Sequence, residues 1–200
     1  MRPRMASRHW SVYGSTALVA CLIVNAASAQ SPTQAWTVTT GDVRVTCPMT
    51  VGGSFEAKTS AIAGRLSIES ATSVMTGEMS VDLKSLDTGI ALRNQHMLDT
   101  YLEVTKGEGF ETATLSNIDI GSLASGVDGQ KPFTARLRLH GVTQLVTGRA
   151  TLSSRGSSVR VDASFPVRIS DYGITDPRYL GVGVRNNVTV RVVLNATTAS

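Results

Sequence analysis

The side chains with the widest chemical repertoire in this chain fall mostly in one short window. Asp87, Arg93 and His96 lie within ten positions of one another, and Asp171 stands in a second polar segment. An aspartate and a histidine at that spacing could form an acid–base pair, but no nucleophile is placed beside them and no second carboxylate accompanies them. The same residues suit a structural task better. Asp87 can cap a helix start, and Arg93 can tie that helix to a turn carboxylate such as Asp171 through a bidentate pair. Asp87, Arg93, His96 and Asp171 are therefore expected to anchor a helix, and no catalytic residue is assigned. A hydrolase or isomerase built on Asp87, Arg93 and His96 is the lesser alternative. Metal chemistry has less support still. Beyond the first 29 residues the histidines are His96 and His140, far apart, and Cys47 joins neither at a ligand-like spacing. Met75, Met79 and Met97 fall on apolar faces, where methionine is usually core and not an axial haem ligand.

The elements that must position these residues begin after a leader. Arg2, Arg4 and Arg8 precede an apolar run from about Trp10 to Val24, and Ala27-Ser28-Ala29 follows. A basic start, a short apolar stretch and a small-residue site describe a secretory signal, here residues 1–29, with export to the periplasm as the expectation. Leu18-Val19-Ala20-Cys21 also fits a lipobox, so a lipoprotein acylated at Cys21 is the alternative. The apolar run continues through Leu22, Ile23 and Val24, which favours cleavage after Ala29. The formal charge of +4, from 19 basic and 15 acidic side chains, then loses the three leader arginines and falls to about +1. A nucleic-acid reading loses its main support with them. Of the two cysteines only Cys47 remains, so no internal disulfide can form, and a buried, inert thiol is expected.

Residues 30–200 suffice for one domain with a core. Their dominant signal is a period of two. Trp36 and Val38 alternate with threonines, and Val43, Val45 and Cys47 with Arg44 and Thr46. Ile62, Gly64, Leu66 and Ile68 share one parity, as do Met79, Val81 and Leu83. Phe133 to Leu139 alternate with Thr134, Arg136 and Arg138. Val159 to Ile169 hold one long parity, and Val182 to Leu194 another. One apolar and one wet face per strand is the mark of an antiparallel sheet over a single core. Turn signals at Gly52-Gly53, Asp128-Gly129, Gly141, Arg155-Gly156 and Asp176-Pro177 separate the runs. Eight to ten strands result, and long strands with one apolar parity favour a closed, all-β antiparallel barrel over a sandwich. One segment departs from this pattern. From Ile90 to Leu102, Ile90, Arg93, Asn94, Met97, Leu98 and Tyr101 recur at helical spacing after Asp87-Thr88-Gly89, which predicts a short helix near one barrel end.

Several of these segments resemble a known family. Val81-Asp-Leu-Lys-Ser-Leu-Asp87-Thr88-Gly89 with Arg93-Asn94 and His96-Met97 is similar to the strand-then-helix signature of the YceI-like proteins. Leu139-His140-Gly141-Val142-Thr143, Ile169-Ser170-Asp171-Tyr172-Gly173-Ile174 and the stretch from Val184 to Val190 resemble its later signatures, and Trp36-Thr37-Val38 its start. The resemblance spans about residues 36–196. Departures occur at Asp42-Val43-Arg44, at Arg168 and at Arg185-Asn186-Asn187. The resemblance implies a periplasmic, lipocalin-like barrel of about eight strands that binds a polyisoprenoid or related amphiphile.

A barrel of this size can be solid or can hold one small ligand. Gly64, Gly77, Ala135, Gly148, Ala150 and Ala163 fall at inward positions where a solid core would carry larger side chains. Room of that kind would suit an apolar guest. Strand and helix parity nominates as its lining Trp36, Val38, Val45, Phe55, Leu66, Met79, Val81, Met97, Leu98, Tyr101, Phe133, Leu137, Val161, Phe165, Ile169 and Val190. The expected function is a non-enzymatic lipid carrier or sequestering protein. Its partner would be a long-chain isoprenoid, quinone-like or fatty-acyl lipid, with no metal and no other cofactor. A secreted structural domain with a filled core is the alternative, and a transient membrane contact and a homodimer both stay open.

Overall fold

Alternation along the chain translates into a closed antiparallel wall. The computed structural model describes residues 33–69, 74–121, 123, 126–179 and 181–198. The expected leader, its Ala27-Ser28-Ala29 site and Cys21 lie outside the described residues. The strands are β1 (Thr33–Pro48), β2 (Ser54–Thr59), β3 (Ile62–Glu69), β4 (Val74–Asp82), β5 (Thr112–Asp119), β6 (Gly129–Leu139), β7 (Val142–Arg155), β8 (Ser158–Arg168), β9 (Arg178–Tyr179), β10 (Val182–Gly183) and β11 (Asn187–Thr198). The main sheet runs β11-β8-β7-β6-β5-β4-β3-β1-β2, and a further β11–β1 pairing closes it. β2 and β3 pair with the C-terminal and N-terminal halves of β1 respectively, so together they fill one of eight positions around the barrel. Closure leaves the long strands without an open edge.

Two irregularities set which side chains face inward. In β1 the register against β11 shifts between Val38 and Thr40, so the inward parity passes from Trp36 and Val38 to Val43, Val45 and Cys47. In β5 the register against β6 shifts between Ser116 and Asp119, and Asn117 takes a left-handed φ of 50°. Ala113 and Leu115 hold one parity before the shift, and Ile118 and Ile120 the other after it. The closing strand is shorter than its apolar run. Val182 belongs to the β9–β10 ribbon and Val184 bridges to Met49, while β11 starts only at Asn187.

The two barrel ends differ because the connections differ. Those after β3, β5 and β7 share one end with Trp36, which pairs with Leu66 and Thr198 and is buried in the core with Met75, Leu152 and Ala196. Those after β1, β4, β6 and β8 share the other end, where the connections after β4 and β8 are long and carry their own structure. The expected helix is there as Ala91–Gln95, which widens into a π-helical turn, His96–Tyr101. None of the described helices is long and apolar enough to cross a membrane.

Candidate functional site: an apolar cavity and its mouth

A cavity of about 510 Å³ occupies the half of the barrel toward the long connections. Its floor reaches Leu66, Ile118 and Ile120, and its wall includes Phe133 and Phe165, packed edge to face with centroids 5.8 Å apart. Of the residues nominated from sequence, Val45, Phe55, Leu66, Met79, Val81, Met97, Tyr101, Phe133, Leu137, Val161, Phe165, Ile169 and Val190 border it. Trp36, Val38 and Leu98 do not. The first two precede the β1 bulge and pack into the closed end. Leu98 packs instead against a separate cluster of Ala57, Leu83, Leu86 and Val104, because the π-helical turn aims Met97 and Tyr101 at the cavity and Leu98 beside it.

The origin of the space matches the sequence expectation at Ala150 and Ala163 and differs from it at the other four positions. Gly64, Gly77 and Gly148 do not border the cavity, because a neighbour lies where each would carry a Cβ: Met79 at Gly64, Leu66 at Gly77 and the Phe133 ring at Gly148. Ala135 is buried in the core and also lies off the cavity. The room comes from Ala57, Ala113, Ala150 and Ala163 among rings of valine. Ala150, Ala163 and Val192 stand side by side on adjacent strands and form one shallow stretch of wall. Ala113 and Leu115 escape nomination because the β5 shift interrupts their alternation after two inward positions.

Three segments build the mouth. The turn after β1 is held to the β10 region by Thr50 N–H donating to Gly183 O at 2.8 Å and by Gly183 N–H donating to Thr50 Oγ1 at 2.9 Å. The start of the helical segment is stitched to β2 through reciprocal Lys58 and Asp87 backbone bonds of 2.8 and 2.9 Å. Its end is fixed by Tyr101, whose hydroxyl donates to Arg178 O at 3.1 Å and accepts from Arg178 N–H at 3.0 Å.

The helix is anchored by a device that sequence reasoning missed. Ile90 occupies the N-cap without a side-chain bond. Asn94 reaches back instead: its Nδ2 donates to Asp87 Oδ1 at 2.6 Å, and its Oδ1 accepts from Thr88 N–H at 2.8 Å and from Thr88 Oγ1 at 2.6 Å. The Asn94 bond, with the Gly89 N–H second, holds the Asp87 carboxyl below its ordinary range. Asp87 thus does not cap the helix itself; it reaches the helix start only through Asn94.

Arg93 and Asp171 do not meet. The Arg93 guanidinium lies over the Phe55 ring, 4.2 Å from its centroid, a cation–π contact worth about 1 kcal/mol. Asp171 is 3.9 Å from Arg168 on the far side of its own turn. The pairing fails because the Arg93 guanidinium is placed over Phe55 of β2. His96 also borders the cavity. Cys47 is a buried wall residue whose thiol burial pushes up to about 11, against the opposing pull of the Arg93 charge. Among the described residues no group of three or more histidine, cysteine or acidic side chains is placed to hold a metal ion.

Comparison with known proteins bears on this geometry. The family model described as YceI-like domain matches residues 33–196. The chain belongs to the YceI-like family. Solved structures share the fold at low identity. Burkholderia cenocepacia BcnA superposes with a TM-score of 0.64 at 18% identity, over 78% of this chain and 96% of that one. A Saccharophagus degradans polyisoprenoid-binding domain, implicated in plant cell wall breakdown, gives 0.62 at 17% identity, over 83% and 99%. A Campylobacter jejuni YceI protein gives 0.51 at 12% identity, over 70% and 81%. No curated protein matches the sequence. The matched stretch includes the segment from Val81 to Met97, one of the three that build the mouth.

Proposed function

We propose that this chain is an exported lipid-binding protein that holds one long apolar chain, isoprenoid, quinone-like or acyl, inside its barrel for sequestration or transport. The observation that carries this reading is the cavity itself: about 510 Å³, bordered almost wholly by aliphatic and aromatic side chains, and continuous from the mouth to Leu66 and Phe133. Volumes of this order suit a single small ligand. Each methylene taken from water contributes about 0.8 kcal/mol, so a long tail supplies ample gross affinity before association costs. Membership of the YceI-like family supports the reading, as does the likeness to a protein described as polyisoprenoid-binding. The basic, apolar and small-residue pattern of residues 1–29 supports export to the periplasm, with cleavage after Ala29 releasing a barrel of residues 30–200 and acylation at Cys21 as the alternative.

The rim supports exchange of the ligand at a lipid surface. Val51, Ile90, Leu92, Leu145 and Val182 are the exposed large hydrophobic residues among those described. Ile90, Leu92 and Val182 border the cavity, and Val51 follows Thr50 in the turn bonded to Gly183. Apolar side chains gathered at one opening mark a contact site more than scattered ones do. The deciding experiment is organic extraction of protein purified from its own host without detergent, followed by mass spectrometry. Lipid near one equivalent per chain is expected, and a clean extract from folded protein sinks the proposal.

A further inference from the structure

Resting on the lipid-binding reading, the charges at the mouth say which kind of lipid. The ionisable side chains that border the cavity are Cys47, Arg93, His96, Tyr101 and Arg178, and no described carboxylate is among them. Arg178 already has a partner in Asp176, 3.5 Å away. Arg93 has none: among the described residues no carboxylate stands within ion-pair distance of it, and its guanidinium rests on the Phe55 ring. Arg93 is half-buried beside an apolar wall, where a matching anion restores the hydration that burial removes. Phe55 offers one face of a ring, which leaves the in-plane N–H donors of the guanidinium uncommitted to any acid. Those donors match the two oxygens of a carboxylate or phosphate in a bidentate fork.

From this we propose that Arg93 reads an acidic head group: the cavity takes a single-chain amphiphile whose carboxylate or phosphate seats on the Arg93 guanidinium while its tail fills the space down to Leu66 and Phe133. Neutral chains of the same length enter less tightly, and aminated ones least of all, since a cationic head would meet Arg93 and Arg178 with no described carboxylate on the wall to receive it. Tail chemistry and head chemistry are then read separately, the tail by cavity shape and the head by one side chain on a helix locked in place through Asn94.

The test measures affinities of the delipidated protein for matched probes: oleic acid, oleyl alcohol and oleylamine in one series, geranylgeranyl phosphate and geranylgeraniol in the other. In the unmodified protein the acid is expected to bind roughly ten- to a hundredfold more tightly than its alcohol, the scale of a charge-assisted hydrogen bond, with the amine weakest. Arg93→Gln should collapse that gap, the acid losing far more affinity than the alcohol, and Arg93→Lys should restore part of it. The alcohol serves as the internal control for a folded cavity. A larger gap in the straight-chain series assigns a fatty acid, and a larger gap in the branched series assigns a prenyl phosphate. Equal binding of acid and alcohol, or a gap that survives Arg93→Gln, overturns the head-group assignment and leaves the lipid-binding reading standing. Binding of no probe overturns both.

Discussion

The Nε2 of His140 stands 2.9 Å from a carboxylate oxygen of Glu103, while the Nδ1 of the same ring stands 2.9 Å from the carbonyl oxygen of Tyr172. This ring joins the residue that follows the helical segment to the turn after β8, and so ties two of the mouth connections together. Both neighbours are acceptors, and a neutral imidazole can donate to only one of them. Phe110 packs against the ring edge at 4.8 Å, and Lys106 bonds Glu103 from the other side at 2.8 Å. Replacing His140 by Ala strands the Tyr172 carbonyl and should cost about 1–3 kcal/mol. Chemical denaturation would measure it, and loss below a few tenths of a kcal/mol would refute the tie.

The same contact gives an acid limb. The Lys106 bond first, and the His140 bond after it, hold the Glu103 carboxyl below its ordinary 4.5. A carboxyl held low in the folded chain contributes stability that is in place above pH 4.5 and lost as pH falls through the lower folded value. Glu103→Gln should therefore lower Tm at neutral pH, and its deficit should shrink as pH falls below 4.5. Thermal melts across that range check it, and a deficit independent of pH would place the contribution elsewhere.

Cys47 offers a reporter inside the wall. With its thiol pushed up to about 11 by burial, little thiolate exists at pH 8. In a Cys21→Ser background, alkylation by iodoacetamide should run at least tenfold slower than for a free thiol, since both burial and protonation oppose it. A bound lipid should slow it further, because Cys47 borders the cavity. Protection by oleic acid equal to that in buffer alone would mean that the ligand sits somewhere else.

How far these features are legible in the sequence depends on whether one period runs uninterrupted. β6 and β8 read directly, because Phe133 to Leu139 and Val159 to Val167 alternate without a break. β5 does not, because the shift at Asn117 moves Ile118 to the opposite parity from Leu115. Trp36 and Val38 look like lining for a related reason. Parity shows that a side chain points inward but not at what height, and the height separates a packed end from a hollow one. The glycines mislead in another way: Gly64 and Gly148 do face inward, but Met79 and Phe133 from the neighbouring strands take their space. The polar set is less legible. Spacing suggests that Asp87 caps the helix, but it acts only through Asn94, and the contact of Arg93 with Phe55 joins elements far apart in the chain, which no local spacing records.

Asn94 is the residue on which that helix placement turns. Its amide joins Asp87 and Thr88 in three bonds of 2.6–2.8 Å, while the N-cap residue Ile90 contributes none. Asn94→Ala removes all three, whereas Asn94→Asp keeps an acceptor for Thr88 and sets two carboxylates against each other. Hydrogen exchange of the amides from Arg93 to Tyr101 should quicken roughly fivefold to tenfold in the alanine variant, the effect of a lost helix cap, with the barrel strands unchanged. Quickening spread over β6 to β8 would show that the helix supports the barrel rather than the mouth.

The hollow wall itself can be tested by filling it. Ala163 sits between Ala150 and Val192 and borders the cavity, whereas at Gly148 a Cβ would meet Ser164 O at 2.5 Å and the Phe133 ring at 2.7 Å. In a solid core, added bulk costs about 1–3 kcal/mol wherever it is placed. A hollow barrel separates the two positions. Ala163→Phe should fold with stability within about 1 kcal/mol of the parent, because its ring enters open space, and should lose most of its lipid capacity for the same reason. Gly148→Ala should be destabilised by about 1–3 kcal/mol and yet bind lipid with normal stoichiometry in the fraction that stays folded. Urea denaturation and lipid titration on both variants read the two properties independently. If Ala163→Phe proves the more destabilised, the barrel is packed at that height and the lipid must occupy some other part of the cavity.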